Sequence, residues 1–162
     1  MSRLQDYSSW IGRKEHSRDQ VLPSRIEALA ATLDSPRPAD QGSPLPPLWH
    51  WVLFNPLHRA SELGHDGHAR KGSFLPPIEL PRRMWAGGRF EFVLPLAIGD
   101  QLTRESVIKD VKLKEGKSGS LAFVTVKHRI QGDSGGYWLE EHDIVYRAAP
   151  ETPWQDAEAP VI

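Results

Sequence analysis

Two neighbouring segments of the chain hold the side chains best suited to bind an anionic ligand. The second segment carries Arg82 and Arg83, then Trp85, and then the glycine pair Gly87-Gly88. Arginine binds phosphate through paired N–H donors, tryptophan can line an apolar channel, and adjacent glycines let the backbone approach a ligand closely or take a positive φ. This pattern predicts contact with a phosphate group near the mouth of a cleft.

Each of these residues also has a purely structural interpretation. The two arginines, together with Arg89, could be solvated or could pair with acids such as Glu141 and Asp143. The two glycines could form a β-bulge at the start of a strand, and Trp85 could pack in the core. The sequence leaves both interpretations open.

The first segment is the loop His65-Asp66-Gly67-His68. It contains metal-ligating residue types, but no third and fourth ligand follow at a suitable spacing, so we expect no metal there. Asp66 and His68 are instead candidates for the wall of a substrate cleft. The alternative is an Asp-Gly turn in which the carboxylate binds its own backbone.

Three further histidines lie elsewhere in the chain. His50, within the apolar run at residues 48–54, is another candidate for the cleft wall. A buried histidine between two tryptophans is, however, more often a hydrogen-bonded core residue than a catalyst. We expect His128 and His142 to face each other across the last hairpin in a structural role, and we assign no residue a catalytic role.

The elements that must position these side chains are strands in the second half of the chain. Alternating apolar residues and glycine-rich turns predict strands at residues 89–98, 101–114, 120–131 and 137–147. Pro95 has no N–H to give to a ladder, so the first of these strands should lie at an edge of the sheet or contain a bulge.

The first half of the chain predicts helices and loops. Residues 1–16 are polar and should lie extended over the surface. An amphipathic stripe over residues 22–33 predicts a helix that begins near Asp19. The apolar run at residues 48–54 predicts a buried, bent helix that continues to Leu63.

The order of these elements predicts an α+β protein. Helices followed by an antiparallel meander fit the hotdog fold, in which an antiparallel curved sheet is wrapped around a central helix. A length of 162 residues suits one domain. We assign residues 1–148 to this domain and residues 149–162 to a disordered tail or the start of a linker.

The composition excludes several functional classes. The net charge of −1 argues against a general nucleic-acid binder, and the chain has no cysteines. No apolar run approaches the ~20 residues that cross a bilayer. We therefore expect a soluble, cytoplasmic protein that binds neither nucleic acid nor membrane and needs no cofactor or metal.

Several segments point to a known family. The segments LGHDGH and RRMWAGG are specific to one of its branches, and LPPLWHWVLF, PLAIGDQLTRES and EEHDIVYR support them. From Leu48 to Arg147 the sequence resembles the N-terminal half of MaoC-like double-hotdog hydro-lyases. This family includes β-hydroxyacyl-thioester dehydratases and mesaconyl-CoA hydratases.

The resemblance implies a substrate that is an acyl-CoA or acyl-carrier-protein thioester, to which water is added or from which it is removed. In this family the catalytic Asp/His pair lies in a second hotdog, which this chain does not contain. Residues 55–58, Asn-Pro-Leu-His, echo part of that catalytic motif, but Leu53 and Phe54 stand where its Gly-Asp should be. The resemblance therefore implies a component that supplies binding surface to a catalytic hotdog partner, which is either a separate subunit or a missing half.

Two other functions stay open. Hotdog proteins also include thioesterases that use a carboxylate near the central helix, and Glu62 is the candidate for that role. A non-catalytic module that binds acyl groups is the third possibility. All three predict a homodimer, or a heterodimer with a second hotdog chain, in which two sheets join edge to edge.

Overall fold

The computed structural model describes residues 6–36, 40–64, 66–116 and 119–149. Residues 150–162, which make up nearly all of the predicted tail or linker at residues 149–162, lie outside this described part. Among the described residues, no helix is long and apolar enough to cross a membrane.

The fold is built on one antiparallel sheet of five strands. Their order across the sheet is β1-β3-β4-β5-β2, so β1 and β2 form its two edges. The strands are β1 (Lys14–Gln20), β2 (Arg82–Leu94), β3 (Gln101–Gly116), β4 (Gly119–Gly132) and β5 (Tyr137–Arg147).

All four strands predicted from the alternating pattern are present. Strand β2 begins before Arg89 and ends before Pro95, which confirms that this proline marks an edge strand. The register between β2 and β5 shifts between Trp85 and Gly87, so the structure contains the bulge that the glycine pair suggested. Within the described chain, neither glycine of this pair has a positive φ.

Strand β1 was not predicted. Its sequence KEHSRDQ has no apolar alternation, and its residues range from exposed to half-buried. It forms because its backbone pairs with β3, from Lys14 opposite Val107 to Gln20 opposite Gln101. Of the segment predicted to lie extended over the surface, residues 14–16 belong to this edge strand, whereas Ser8–Trp10 form a short helical turn and Tyr7 is buried.

The predicted first helix is present as α1 (Pro23–Thr32), which has its proline in the first turn, as expected. Ile26 and Ala30 are its buried residues. Ile26 packs against Leu102 and Trp138 of the sheet, so α1 lies on the inner face.

The prediction of a second helix, from residue 48 to Leu63, was wrong. Two short 3₁₀ turns, Trp49–Val52 and Ala60–Glu62, occupy this part of the chain. Leu48 and Phe54 adopt positive φ angles of 71° and 58°, which a right-handed helix cannot accommodate on either side of the first turn.

The inner face of the sheet buries two apolar clusters. The first lies under α1 and the first 3₁₀ turn. The second is covered by loops and consists of buried residues packed around Tyr146, with the partly buried Phe74, Leu75 and Leu80 against them. The sheet therefore wraps around a helix as predicted, but the helix has 10 residues and covers one half of the face.

A row of polar residues crosses the inner face between the two clusters. Ser106, His128 and Glu140 lie side by side on β3, β4 and β5. The Oγ of Ser106 and the Nδ1 of His128 are 2.8 Å apart. Burial lowers the pKa of His128 from 6.5 to about 4, so the fold holds this imidazole uncharged at neutral pH.

The burial of neutral His128 predicts a loss of stability in mild acid. Between pH 6.5 and about 4 the unfolded chain binds a proton that the folded chain does not. The free energy of unfolding should therefore fall as the pH decreases across this window, by on the order of 3 kcal/mol. Burial also lowers the pKa of His142, which adds to the loss. Denaturant titrations at several pH values measure the slope.

The variant His128→Asn keeps a polar side chain beside Ser106 but cannot titrate, so its stability should change less with pH than that of the wild type. His16→Asn is the matched control, because the side chain of His16 is 70% exposed, and its slope should equal the wild-type slope. Equal slopes for His128→Asn and the wild type would contradict the assignment.

Candidate functional site

A cavity of about 460 Å³ lies over the polar row of the inner face. The first 3₁₀ turn contributes His50 and Trp51 to its wall, and the sheet contributes Arg104, His128 and Glu140. A cavity with this lining offers mainly hydrogen-bond donors, together with one carboxylate.

The carboxylate of Glu140 ties the first 3₁₀ turn to the sheet. Its Oε2 lies 3.0 Å from Nε2 of His50, and its Oε1 accepts a hydrogen bond of 3.1 Å from Nε1 of Trp51. His50 is 3% and Glu140 7% exposed. Burial alone would raise the pKa of Glu140, but the bond from His50 and the nearby histidines hold it below its usual range. Glu140 is therefore a buried anion with both oxygens occupied.

An outer groove of about 700 Å³ continues from this cavity. Both are lined by Trp85 and His142, and Trp85 is 61% exposed. The outer groove adds the cations Arg70, Lys71 and Arg83 and the carboxylate of Glu15. Because Lys71 donates to the carbonyl oxygens of Ile78 and Leu80, and Arg83 pairs with Asp66, the exposed Arg70 is the cation best placed to meet an anionic ligand.

The structure brings Arg83, Trp85, His50 and His68 of the sequence-predicted set to these two connected spaces. Arg83 is not free, since its Nη2 lies 3.0 Å from Oδ2 of Asp66. This pair fixes the guanidinium at the edge of the groove.

Asp66 also forms the Asp-Gly turn that the sequence offered as the structural interpretation of this loop. Its Oδ1 accepts a hydrogen bond from the N–H of His68, at 3.2 Å. Burial raises the pKa of Asp66, but this N–H and Arg83 outweigh that effect and lower it. His65 lies outside the described residues.

Arg82 and Arg89 are exposed and do not line the groove. Arg89 binds Glu141 at 2.9 Å and Asp143 at 2.7 Å, as its structural interpretation predicted. These contacts lie on the outer face of the sheet, opposite the cavity.

Gly88 lies on the inner face, opposite His142 in the register of β2 and β5, whereas Gly87 lies opposite Asp143. A Cβ on Gly88 would meet the ring of Phe90 at 3.2 Å, while one on Gly87 would meet nothing closer than 3.8 Å. A side chain at Gly88 would therefore crowd the ring of Phe90, and close approach of a ligand to either glycine stays a prediction.

Glu62, the residue proposed for hydrolysis, is poorly placed for it. Glu62 belongs to the second 3₁₀ turn, and its Oε2 accepts a hydrogen bond from the N–H of Arg59 at 2.9 Å. His58 lies 3.8 Å from the same carboxylate. In the described part of the chain, the one α-helix, α1, does not include Glu62.

The sequence analysis missed Glu140 and Arg104. The alternation of β5 contained a usable signal, because Trp138, Glu140, His142, Ile144 and Tyr146 recur every second residue on one face. His128 and His142 do lie on the same face, but His128 is opposite Glu140 and His142 is opposite Val126. Both histidines line the inner cavity.

Among the described residues, no group of three or more histidine, aspartate or glutamate side chains could hold a metal ion.

Comparison with known proteins gives a matching family and a curated relative. The family of hydroxyacyl-thioester dehydratases type 2 matches residues 48–161, and so extends past Arg147, where the resemblance was expected to end. The mesaconyl-C(4)-CoA hydratase of Chloroflexus aurantiacus is 48% identical over 143 residues, which are 88% of this chain and 51% of that protein. The chain thus spans about half the length of this relative.

Solved structures show the same fold at low identity. The ChsH1–ChsH2 complex from Mycobacterium tuberculosis matches with a TM-score of 0.61 and 16% identity, over 86% of this chain and 85% of that chain. The C-terminally truncated HadBC (3R-hydroxyacyl-ACP dehydratase) complex from the same organism matches with a TM-score of 0.57 and 13% identity, over 84% of this chain and 96% of that chain. A hot-dog-like protein from Thermanaerovibrio acidaminovorans matches with a TM-score of 0.51 and 10% identity, over 88% of this chain and 89% of that chain.

The curved five-stranded sheet around one helix is therefore a hotdog fold. Because the family match covers more than half of the sequence, the chain belongs to the hydroxyacyl-thioester dehydratase type 2 family.

Proposed function

We propose that this chain is the substrate-binding component of an acyl-thioester hydratase or dehydratase. The observation that carries the proposal is the continuous path from the cation-lined outer groove, past Trp85, into the inner cavity. The phosphates of CoA or of a phosphopantetheine arm suit the outer groove, and the acyl group suits the cavity. The activity of the Chloroflexus relative favours CoA as the carrier and hydration as the direction.

The cavity residues are poor proton-transfer groups at neutral pH. Glu140 already accepts two hydrogen bonds, and its pKa is lowered, which makes it a weak base. His128, with a pKa of about 4, is a weak base as well. We therefore propose that a companion hotdog supplies the catalytic acid and base, while this chain binds and orients the thioester.

The free edge of β2 is the proposed contact with that companion. Met84, Val93 and Leu94 are 41%, 46% and 54% exposed along this edge. An open strand with apolar side chains readily pairs with another sheet. Docking there would also place the companion beside Trp85 and the mouth of the cavity. We propose as companion either a second copy of this chain or a catalytic hotdog, which is a separate chain or the other half of a longer protein. We also propose a cytoplasmic location.

The thioesterase alternative has less support, because Glu62 is bound to the backbone N–H of its own turn. A non-catalytic acyl-binding module differs from the main proposal only in lacking a catalytic companion. Thiol release would indicate the thioesterase, and binding without any turnover would indicate the non-catalytic module.

Mixing this chain with a hotdog protein that carries the Asp/His motif should produce hydration of an enoyl-CoA that neither chain achieves alone. The reason is that the binding wall and the proton-transfer groups lie on different hotdogs. Loss of the enoyl absorbance measures the rate, and thiol release measures hydrolysis. Thiol release by the isolated chain would contradict the proposal, as would hydration at full rate without a companion.

Val93→Lys should weaken association with the companion by about 10-fold or more, because it places a charge in an apolar edge contact. Leu113→Lys is the matched control, since Leu113 is 38% exposed on β3, away from this edge. Analytical ultracentrifugation measures both affinities. Equal effects of the two substitutions would show that β2 is not the contact.

A further inference from the structure

A third space, which we call the side groove, lies beside the inner cavity between β1 and α1 and has a volume of about 840 Å³. Of the residues that the structure describes, Arg104 alone lines both the side groove and the inner cavity. Its side chain therefore stands at the boundary between the two spaces. The apolar wall of the side groove comes from α1 and from residues 52–57: Ala28, Leu29, Val52, Phe54, Pro56 and Leu57.

Contacts on two sides hold the Arg104 side chain at this boundary. Its Nε donates a hydrogen bond of 3.2 Å to Oγ of Ser17, the residue opposite Arg104 in the register of β1 and β3. Its guanidinium lies 4.5 Å from the ring centroid of Phe54, within the range of a cation–π contact. Phe54 is itself fixed, because its N–H donates to Oδ2 of Asp19 at 2.7 Å.

Carboxylates on both sides of the boundary also favour this position. Burial lowers the pKa of Arg104, and the carboxylates of Glu15, Glu140 and Asp19 offset part of that effect. Glu15 and Asp19 line the side groove, whereas Glu140 lines the cavity. Displacing the guanidinium would break its bond to Ser17 and move a charge away from these carboxylates, which is unfavourable.

This boundary decides how far an acyl chain can extend. Trp85 and His142 join the cavity of about 460 Å³ to the outer groove. A chain that enters past Trp85 and outgrows the cavity would meet the guanidinium of Arg104, which binds hydrocarbon poorly. Beyond Arg104, the side groove would offer apolar surface to a longer chain.

We propose that Arg104 is a wall that limits the length of the acyl chain, because its side chain closes the inner cavity toward the side groove. Arg104 then sets the preference for short over long acyl thioesters through its size and position. The inference rests on the proposed function, which places the acyl group in the inner cavity.

The test compares the affinities of this chain for butyryl-CoA and octanoyl-CoA, two saturated thioesters that cannot be hydrated. Isothermal titration calorimetry measures both dissociation constants, and their ratio is the readout. Arg104→Ala should shift the ratio toward octanoyl-CoA by about 10-fold or more. The reason is that each methylene group that reaches the side groove adds about 3- to 4-fold in affinity.

Arg104→Met separates size from charge. Methionine keeps an extended side chain over Phe54 but has no charge, so the ratio should change by less than about 3-fold. Arg104→Leu, with a shorter side chain, should give a shift between those of Met and Ala. The comparison of Leu with Met keeps the test decisive if Arg104→Ala does not fold.

A blocking substitution checks where the longer chain goes. Ala28 is exposed on α1 and lines the side groove but not the cavity. Ala28→Phe should cancel the gain for octanoyl-CoA in the Arg104→Ala background, because it fills the side groove. Alone, Ala28→Phe should leave the ratio unchanged, since the acyl chain does not pass Arg104 in the wild type.

The outcomes separate this inference from the proposed function. Binding of both thioesters with the same ratio in Arg104→Ala and the wild type would overturn the wall and leave the proposed function standing. An equal shift in Arg104→Met and Arg104→Ala would also overturn it, as would a gain that survives Ala28→Phe. Absence of hydration in every mixture, combined with the expected shift, would remove the proposed function and leave the wall standing. No binding of either thioester to the wild type would overturn both.

Discussion

The buried carboxylate of Glu140 is the constraint on which the candidate site depends. A charged group that is 7% exposed would destabilise the fold if it lacked partners. His50 and Trp51, adjacent in one short turn, occupy its two oxygens. Removing one partner of such a buried pair typically costs about 3–5 kcal/mol. The turn is therefore held over the sheet by an interaction between residues that also line the cavity.

The same arrangement explains why the inner face is not uniformly apolar. Two apolar clusters supply the burial that stabilises the sheet, and the polar row lies between them. Ser106, His128 and Glu140 satisfy much of their hydrogen-bonding potential with one another and with the covering turn, which limits the cost of placing them inside. Arg104 also lines the cavity, and the nearby carboxylates of Glu15, Glu140 and Asp19 offset part of the burial that lowers its pKa.

Much of the fold could be predicted from the sequence because local patterns determine it. Period-two alternation and glycine turns located four strands, and Pro95 marked the edge position of β2. Strand β1 could not be predicted, because its sequence lacks apolar alternation and the strand forms by pairing its backbone with β3. The prediction of a helix at residues 48–63 was wrong because Leu48 and Phe54 adopt left-handed conformations. The apolar composition of this run does not reveal them. The site was predicted in part: Arg83, Trp85 and His50 reach the two connected spaces, whereas Arg104 and Glu140 depend on a cross-strand register that composition does not reveal.

The central claim is that the thioester lies along the path from the outer groove to the cavity. The most direct measurement is an NMR titration of the indole N–H resonances with an acyl-CoA, in the chain bound to its companion. Trp51 lines the cavity and Trp85 lies at its junction with the groove, whereas Trp10 packs against the other apolar cluster. The account predicts saturable shifts for the first two indoles and none for Trp10. Saturable binding that leaves Trp51 and Trp85 unchanged would contradict it.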